Sequence, residues 1–260
     1  MSPVPTDPLA LRQLRQVTAT AAVLLAPNPG PMTLEGTNTW VLRAPGHRGC
    51  VVVDPGPLHE QHLQAVAACG PVDAVLLTHG HADHSAGAAR FAALTGASVH
   101  ALDPQHRHGG EGLWEGDTVV GGGLEVRVLA TPGHTADSLS FVLPGAVLTG
   151  DTVLGRGTTV IAHPDGVLHD YLGSLHRLRA LGGLTVLPGH GPELAHAGLA
   201  AENYLRHREQ RLAAIRAALA AGASTAQDVG AAVYADVDRA LWPAALLSVR
   251  AQLAYLGADA

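Results

Sequence analysis

Ala74-Val75-Leu76-Leu77-Thr78-His79-Gly80-His81-Ala82-Asp83-His84 is the stretch on which the reading of this chain turns. An apolar run of strand length leads directly into three imidazoles and a carboxylate. If the backbone leaves the strand still extended, its period of two puts His79 and His81 on one side, within reach of a single ion. Asp83 and His84 then face a second position as the chain turns into a helix, which the sequence from Ala86 to Leu94 suggests. Imidazole nitrogen and carboxylate oxygen are ligands that zinc, iron and manganese all accept, so the cluster reads as a metal site whose metal is open. The plain alternative is a His-rich surface loop in a chain with 16 His among 260 residues.

Three downstream residues weigh against that alternative. His134, Asp151 and His190 each follow a β-like apolar run and sit beside a glycine, in Thr131-Pro132-Gly133-His134, Thr149-Gly150-Asp151 and Pro188-Gly189-His190-Gly191. Strand ends converge at one edge of a sheet, and glycine gives the backbone room to turn so that a side chain points into the edge cleft. One such His would be unremarkable, whereas three residues in the same context indicate a shared site.

With these residues in place the chain resembles the metallo-β-lactamase superfamily, whose pattern is H-x-H-x-D-H followed by separate His, Asp and His. The resemblance implies an α/β fold, a four-layer αββα sandwich of two face-to-face sheets with helices outside. It also implies that His79, His81 and His134 bind one metal, that Asp83, His84 and His190 bind a second, and that Asp151 bridges them, with Asp83 and Asp151 as the catalytic carboxylates. Two Zn2+ per chain are expected, with iron or manganese as substitutes.

A narrower resemblance rests on Ala26 to Trp40, on Val53-Asp54-Pro55-Gly56-Pro57, and on Gly150-Asp151-Thr152-Val153-Leu154-Gly155, which are similar to the beta-lactamase-like protein 2 family. That family carries a small helical, winged-helix-like domain after the metal-binding one. An animal member is an endoribonuclease on single-stranded RNA, and related fungal enzymes release polyketides as thioesterases. The expected organisation is therefore a catalytic domain over residues 1–195 and a helical winged-helix-like domain over 196–260. The family places Asn28, Thr37 and Asn38 in a loop over the metals, where they are candidates for substrate contact; His163, in the loop before Pro164-Asp165-Gly166, is another. Asp54 is expected to accept a ligand imidazole N–H and orient it. A turn role explains Asp54 and the Asn residues as well.

Composition narrows function further. Every one of the 16 basic residues is Arg, so no lysine is present for Schiff-base or P-loop chemistry. Formal charge is −6 and aromatics are 3%, neither of which suits a general binder of long polyanions, and no DNA partner is expected. Arg206, Arg208, Arg211 and Arg216 share a predicted helix with Glu202 and Glu209 and read as a solvated face. Cys50 and Cys69 read as small buried side chains rather than a disulfide. Arg12 and Arg15 before the apolar run 17–26 imitate an export signal, but two Thr and strand-like alternation favour an uncleaved first strand and a cytoplasmic protein. No run approaches the ~20 apolar residues of a membrane helix.

Strands are predicted at 17–25, 38–43, 50–53, 73–77, 97–101, 124–130, 139–143, 146–149 and 184–187. Helices are predicted at 58–68, 85–94, 168–181 and 196–221, then from Ala226 to Tyr234 after a Thr225 N-cap, and from Pro243 to Leu256. No wing hairpin follows, and the last helix, with Arg250 as its one cation, is expected to pack rather than read nucleic acid. Two metals ~3.5–4 Å apart can share a water and hold the resulting hydroxide as nucleophile. The leading expectation is a hydrolase of small acyl compounds, meaning thioesters, esters or lactams. A single-strand-specific endoribonuclease, a mononuclear-iron sulfur dioxygenase and a non-enzymatic regulator are the competing readings, so RNA stays open as a partner; oligomeric state cannot be read.

Overall fold

A run such as Cys50-Val51-Val52-Val53 is apolar on both faces and belongs in a sheet covered on both sides. In the computed structural model, which describes residues 13–235 and 237–258, all four side chains are fully buried. They form β4 (Cys50–Val53) of a seven-stranded sheet, preceded by β1 (Arg15–Gln16), β2 (Ala21–Leu25) and β3 (Asn38–Leu42) and followed by β5 (Val72–Leu76), β6 (Val99–Ala101) and β7 (Gly109–Gly112), in that spatial order. The first four strands are antiparallel and the last four parallel. The connections are α1 (Glu60–Ala67) between β4 and β5, then α2 (Ala82–Ser85) and α3 (Ala88–Thr95) between β5 and β6.

The second sheet holds β8 (Thr118–Gly121), β9 (Leu124–Ala130), β10 (Leu139–Leu143), β11 (Ala146–Gly150) and β12 (Thr185–Pro188). It is antiparallel until β11 pairs in parallel with β12 across the α4 (Leu168–Ala180) crossover. Trp40, Val51, Val53 and Leu76 of one sheet meet Val126, Val128, Phe141 and Leu148 of the other in the central core. Leu63, Val66 and Phe91 cover the outer face of the first sheet. Leu175 and Leu178, with Ala201 and Leu205 of α5 (Ala197–Ala220), cover the second against Leu129, Val147 and Val186. The layers are thus α/β/β/α. Beyond them α6 (Ala226–Val233) and α7 (Trp242–Tyr255) pack on the far half of α5 through Ile215, Val229, Val249 and Leu253. No strand follows Pro188 among the described residues.

The elements that differ from expectation have local reasons. β7 is Gly109-Gly110-Glu111-Gly112, with no apolar alternation to announce it, and it survives as an edge strand on backbone pairing with β6. The helix expected at 85–94 is two helices broken at Gly87, where a Cβ would lie 2.8 Å from Leu63 and 2.9 Å from the Gly56 carbonyl. The strand expected at 17–25 begins only at Ala21, as β2, because Thr18 Oγ1 accepts the Ala21 amide and makes a turn. Arg12 lies outside the described residues. Both cysteines are free, Cys50 buried and Cys69 half-buried. No helix among the described residues is long and apolar enough to cross a membrane.

Candidate metal centre

β5 ends at Leu76, and the next eight residues cross the edge of the central core, delivering His79, His81, Asp83 and His84 to one place. β9 delivers His134, β11 delivers Asp151 and β12 delivers His190. The donors gather as His79, His81 and His134, as His79, His84 and Asp151, and as Asp83, His84 and His190; within each group the donor atoms lie within 4.8 Å of one another. Asp151 sits between the sets, its carboxylate 3.8 Å from His134 Nε2 and 3.4 Å from His190 Nε2. Gly189 permits this closeness, since a Cβ there would stand 2.5 Å from Asp151 Oδ1 and 2.8 Å from His84 Cε1.

The outer nitrogens fix which atoms point inward. His84 Nδ1 donates to Asp54 Oδ2 at 2.8 Å, His134 Nδ1 to the Val160 carbonyl at 2.6 Å, and His190 Nδ1 to the Gly36 carbonyl at 3.1 Å. Thr78 Oγ1 donates to Asp54 at 2.7 Å and so accepts from His79 Nδ1 at 3.0 Å. These four imidazoles therefore present Nε2 to the interior. There the nitrogens crowd. His79 Nε2 and His134 Nε2 lie 3.1 and 3.0 Å from the same His81 Nδ1, which can satisfy one of them at most by hydrogen bonding, and His84 Nε2 lies 3.2 Å from His190 Nε2.

Divalent ions fit this set on two observations. A tetrahedral ion with Zn–N of ~2.0–2.1 Å has ligand–ligand edges of about 3.3 Å, close to these separations. Asp151 Oδ1 is buried without a hydrogen-bond partner, a costly arrangement unless a cation takes the lone pairs. The electrostatics agree. Burial pushes His79 and His134 down, towards the neutral form a ligand needs. At His190 burial is outweighed by Asp151 and Asp83, which hold it up at about 9, and at His84 burial is outweighed by Asp151 and Asp54. Burial would raise Asp83 and Asp151, but the facing imidazoles hold both well below the usual carboxylate range. With Nδ1–H of His84 and His190 committed outward, the proton each can lose is on Nε2, so a cation and a proton compete for the same inner atoms.

Asp54 is 1% exposed, has φ of 52°, and accepts from the Thr78 amide, the Thr78 hydroxyl and His84. Asn28 and Thr37 bind each other, and Thr37 Oγ1 donates to Asp83 Oδ2 at 3.3 Å. Asn38 donates to the Pro188 and Gly191 carbonyls and thereby braces the loop that carries His190. Thr37 and Asn38 are buried, so their polar atoms face the protein rather than a cleft. His163 is half-buried and lies outside the cavity described below.

Sequence reasoning missed Thr78, which ties Asp54 to His79, and the two carbonyls, which no side-chain pattern reveals. It also missed Arg208, expected on a solvated face but 2% exposed. The signal was available, since Ala201, Tyr204, Leu205, Arg208, Leu212 and Ile215 follow helical spacing and share the buried face of α5.

Two sheets flanked by helices, with this His/Asp cluster at their edge, define the class, and the chain belongs to the metallo-beta-lactamase superfamily, whose family pattern matches residues 32–190. Within the superfamily it is similar to the beta-lactamase-like protein 2 homolog of Caenorhabditis elegans, 32% identical over 258 residues, covering 91% of this chain and 83% of that one. It is also similar to the atrochrysone carboxyl ACP thioesterase of Aspergillus fumigatus, 32% identical over 200 residues, 72% of this chain and 61% of the relative. A beta-lactamase domain protein from Burkholderia ambifaria shares the fold, with a TM-score of 0.80 at 22% identity over 98% of this chain and 90% of its own.

Proposed function

We propose that this chain is a hydrolase of small acyl compounds, thioesters foremost, working with two zinc ions. The observation that carries the reading is the convergence of seven His and Asp donors in three overlapping groups, with inward nitrogens fixed by outward hydrogen bonds. In this reading His79, His81 and His134 hold one ion, Asp83, His84 and His190 the other, and Asp151 both. When bound, such a pair lowers the pKa of a shared water towards ~7 and polarises the scissile oxygen. Asp83, with a side chain 28% exposed against 12% for Asp151, accepts a hydrogen bond from the attacking water and orients it. Asp54 and the Val160 and Gly36 carbonyls keep the imidazoles in the ligating tautomer. The similarity to a fungal thioesterase supports thioesters over lactams. The same proposal divides the chain into a catalytic part to residue 195 and a helical part from 196.

Elemental analysis of the purified protein, coupled to turnover of a thioester, a lactam and a single-stranded oligoribonucleotide, tests it. About two equivalents of zinc are expected, with Asp83→Ala losing chiefly one and thioester turnover leading. A single iron whose content survives His190→Ala, or metal-dependent RNA cleavage that outruns thioester hydrolysis, would overturn it.

A further inference from the structure

A cavity of about 270 Å³ opens beside the metal centre, with His134 and Asp151 in its wall. Apolar side chains of both parts of the chain, among them Leu34, Leu154, Val237 and Leu241, form its body. Arg208 and Arg211 of α5 add two guanidinium groups. We propose that this cavity binds an acyl group bearing a carboxylate, which Arg208 and Arg211 hold while the scissile carbonyl lies against the metal centre. The proposal rests on the acyl-hydrolase reading above and names its substrate class.

The state of the two arginines carries the argument. Four exposed arginines are paired with carboxylates, Arg15 with Glu193, Arg90 with Glu60, Arg177 with Glu115 and Arg179 with Glu202, while others such as Arg48 and Arg206 stand in solvent, which screens them. Arg156, which also lines the cavity, is neutralised by Glu35. Arg208 is more deeply buried than any of these, yet among the described residues it has no carboxylate partner. One of its terminal nitrogens donates to the Thr159 carbonyl, its group lies 5.0 Å from the Tyr171 ring centroid, and its Nε has no hydrogen-bond partner. A buried cation without a counter-charge is costly, and an anion in the adjoining cavity offsets that cost.

Arg211 has the same character one turn on. It donates to the Val233 carbonyl at 2.7 Å and to His207, lies 4.6 Å from the Tyr234 ring centroid, and has no carboxylate partner among the described residues. Its stacking leaves the planar fork oriented, the arrangement that suits a carboxylate. Size and lining narrow the ligand. The volume of about 270 Å³ falls just below the usual ~300–1,000 Å³ of small-molecule sites, and most of the lining besides the arginines and the metal donors is apolar, which suits a short hydrocarbon body bearing an anion.

The test uses the full, zinc-loaded chain and two thioesters of one neutral thiol, N-acetylcysteamine. Glutaryl and pentanoyl thioesters differ in the terminal carboxylate. We expect kcat/KM for glutaryl to exceed pentanoyl by about tenfold or more, as a charge-assisted contact would give, and Arg211→Gln to bring the ratio close to one. Arg208→Gln is the second variant, and Arg211, being partly exposed, carries the test if Arg208→Gln does not fold. Calorimetric titration with free glutarate and pentanoate supplies a readout besides activity: glutarate binds the wild type more tightly, and Arg211→Gln loses the difference at unchanged zinc content. Equal turnover and equal binding of the two, a glutaryl preference that survives Arg211→Gln, or inorganic phosphate displacing glutarate as well as glutarate itself would overturn the proposal. Arg211-dependent glutarate binding without hydrolysis of either thioester would instead sink the acyl-hydrolase reading and leave the anion pocket standing.

Discussion

Asp54→Asn separates the orienting carboxylate from everything else it touches. The residue sits at φ 52°, where Ala would cost ~1 kcal/mol or more but Asn is at ease, so the backbone stays put. Oδ1 accepts the Thr78 amide at 2.8 Å, which the Asn carbonyl oxygen reproduces. At the Oδ2 position an NH2 then confronts two donors, the Thr78 hydroxyl and His84 Nδ1–H, at 2.7 and 2.8 Å. Thr78 can rotate its hydroxyl hydrogen. His84 can relieve the clash only by moving its proton to Nε2, the atom that faces His190 and Asp83, and a protonated Nε2 cannot ligate. Losing an orienting partner of this kind weakens metal affinity by roughly 10–100-fold. Competition against a chromophoric chelator should show that loss for one ion and a smaller effect on the other, with the variant still folded by circular dichroism. Two zinc ions retained at wild-type affinity, with His84 still carrying its proton on Nδ1 by nitrogen NMR, would refute the argument.

Gly189→Ala should strip metal more severely than a loop substitution ordinarily would, because its Cβ enters within 3 Å of both Asp151 and His84; zinc content after dialysis is the measurement, and full retention counts against the packing reading. His62 is 5% exposed, bound to Thr39 Oγ1 at 2.9 Å, and burial with the nearby His59 lowers it to about 4. The fold keeps it neutral, so its contribution is complete above ~6.5 and falls away as pH drops from there towards 4, by at most about 3 kcal/mol. Urea unfolding at pH 7 and pH 4.5 should accordingly show a smaller acid loss in His62→Gln than in the wild type, and identical losses would show that the histidine stays solvated.

Much of the site was legible because its chemistry is local. His79 to His84 is a contiguous run after an apolar strand, and each remaining donor follows a strand and a glycine, so side-chain type and strand-end position together point to one edge. The loop residues were harder. Asn28, Thr37 and Asn38 have polar side chains that serve a substrate or a turn equally well on paper, and here they brace Asp83 and the His190 loop through contacts as far apart as 153 residues in sequence. Edge strands escaped for the opposite reason: β7 is three parts glycine and owes its place to a neighbour's backbone rather than to its own side chains.

The helices after residue 195 are where burial changes the reading most. A charged helix face looks solvated when Glu202, Arg206 and Glu209 are weighed alone, and those residues do face outward or partly so. Arg208 does not, and its contacts run to the metal centre in two steps. It donates to the Thr159 carbonyl; Thr159 Oγ1 donates to the Asp151 carbonyl at 2.7 Å, and the next carbonyl, of Val160, receives His134 Nδ1 at 2.6 Å. From α7, Ser248 Oγ accepts the Ile161 amide at 3.2 Å. Residues 159–161 are thus held from one side by α5 and α7, and from the other they hold the backbone carbonyl of Asp151 and the imidazole of His134. Two helices that supply no ligand are therefore positioned to set the height of His134 and Asp151 against the cavity, so a change on α5 can alter metal geometry and acyl selection together.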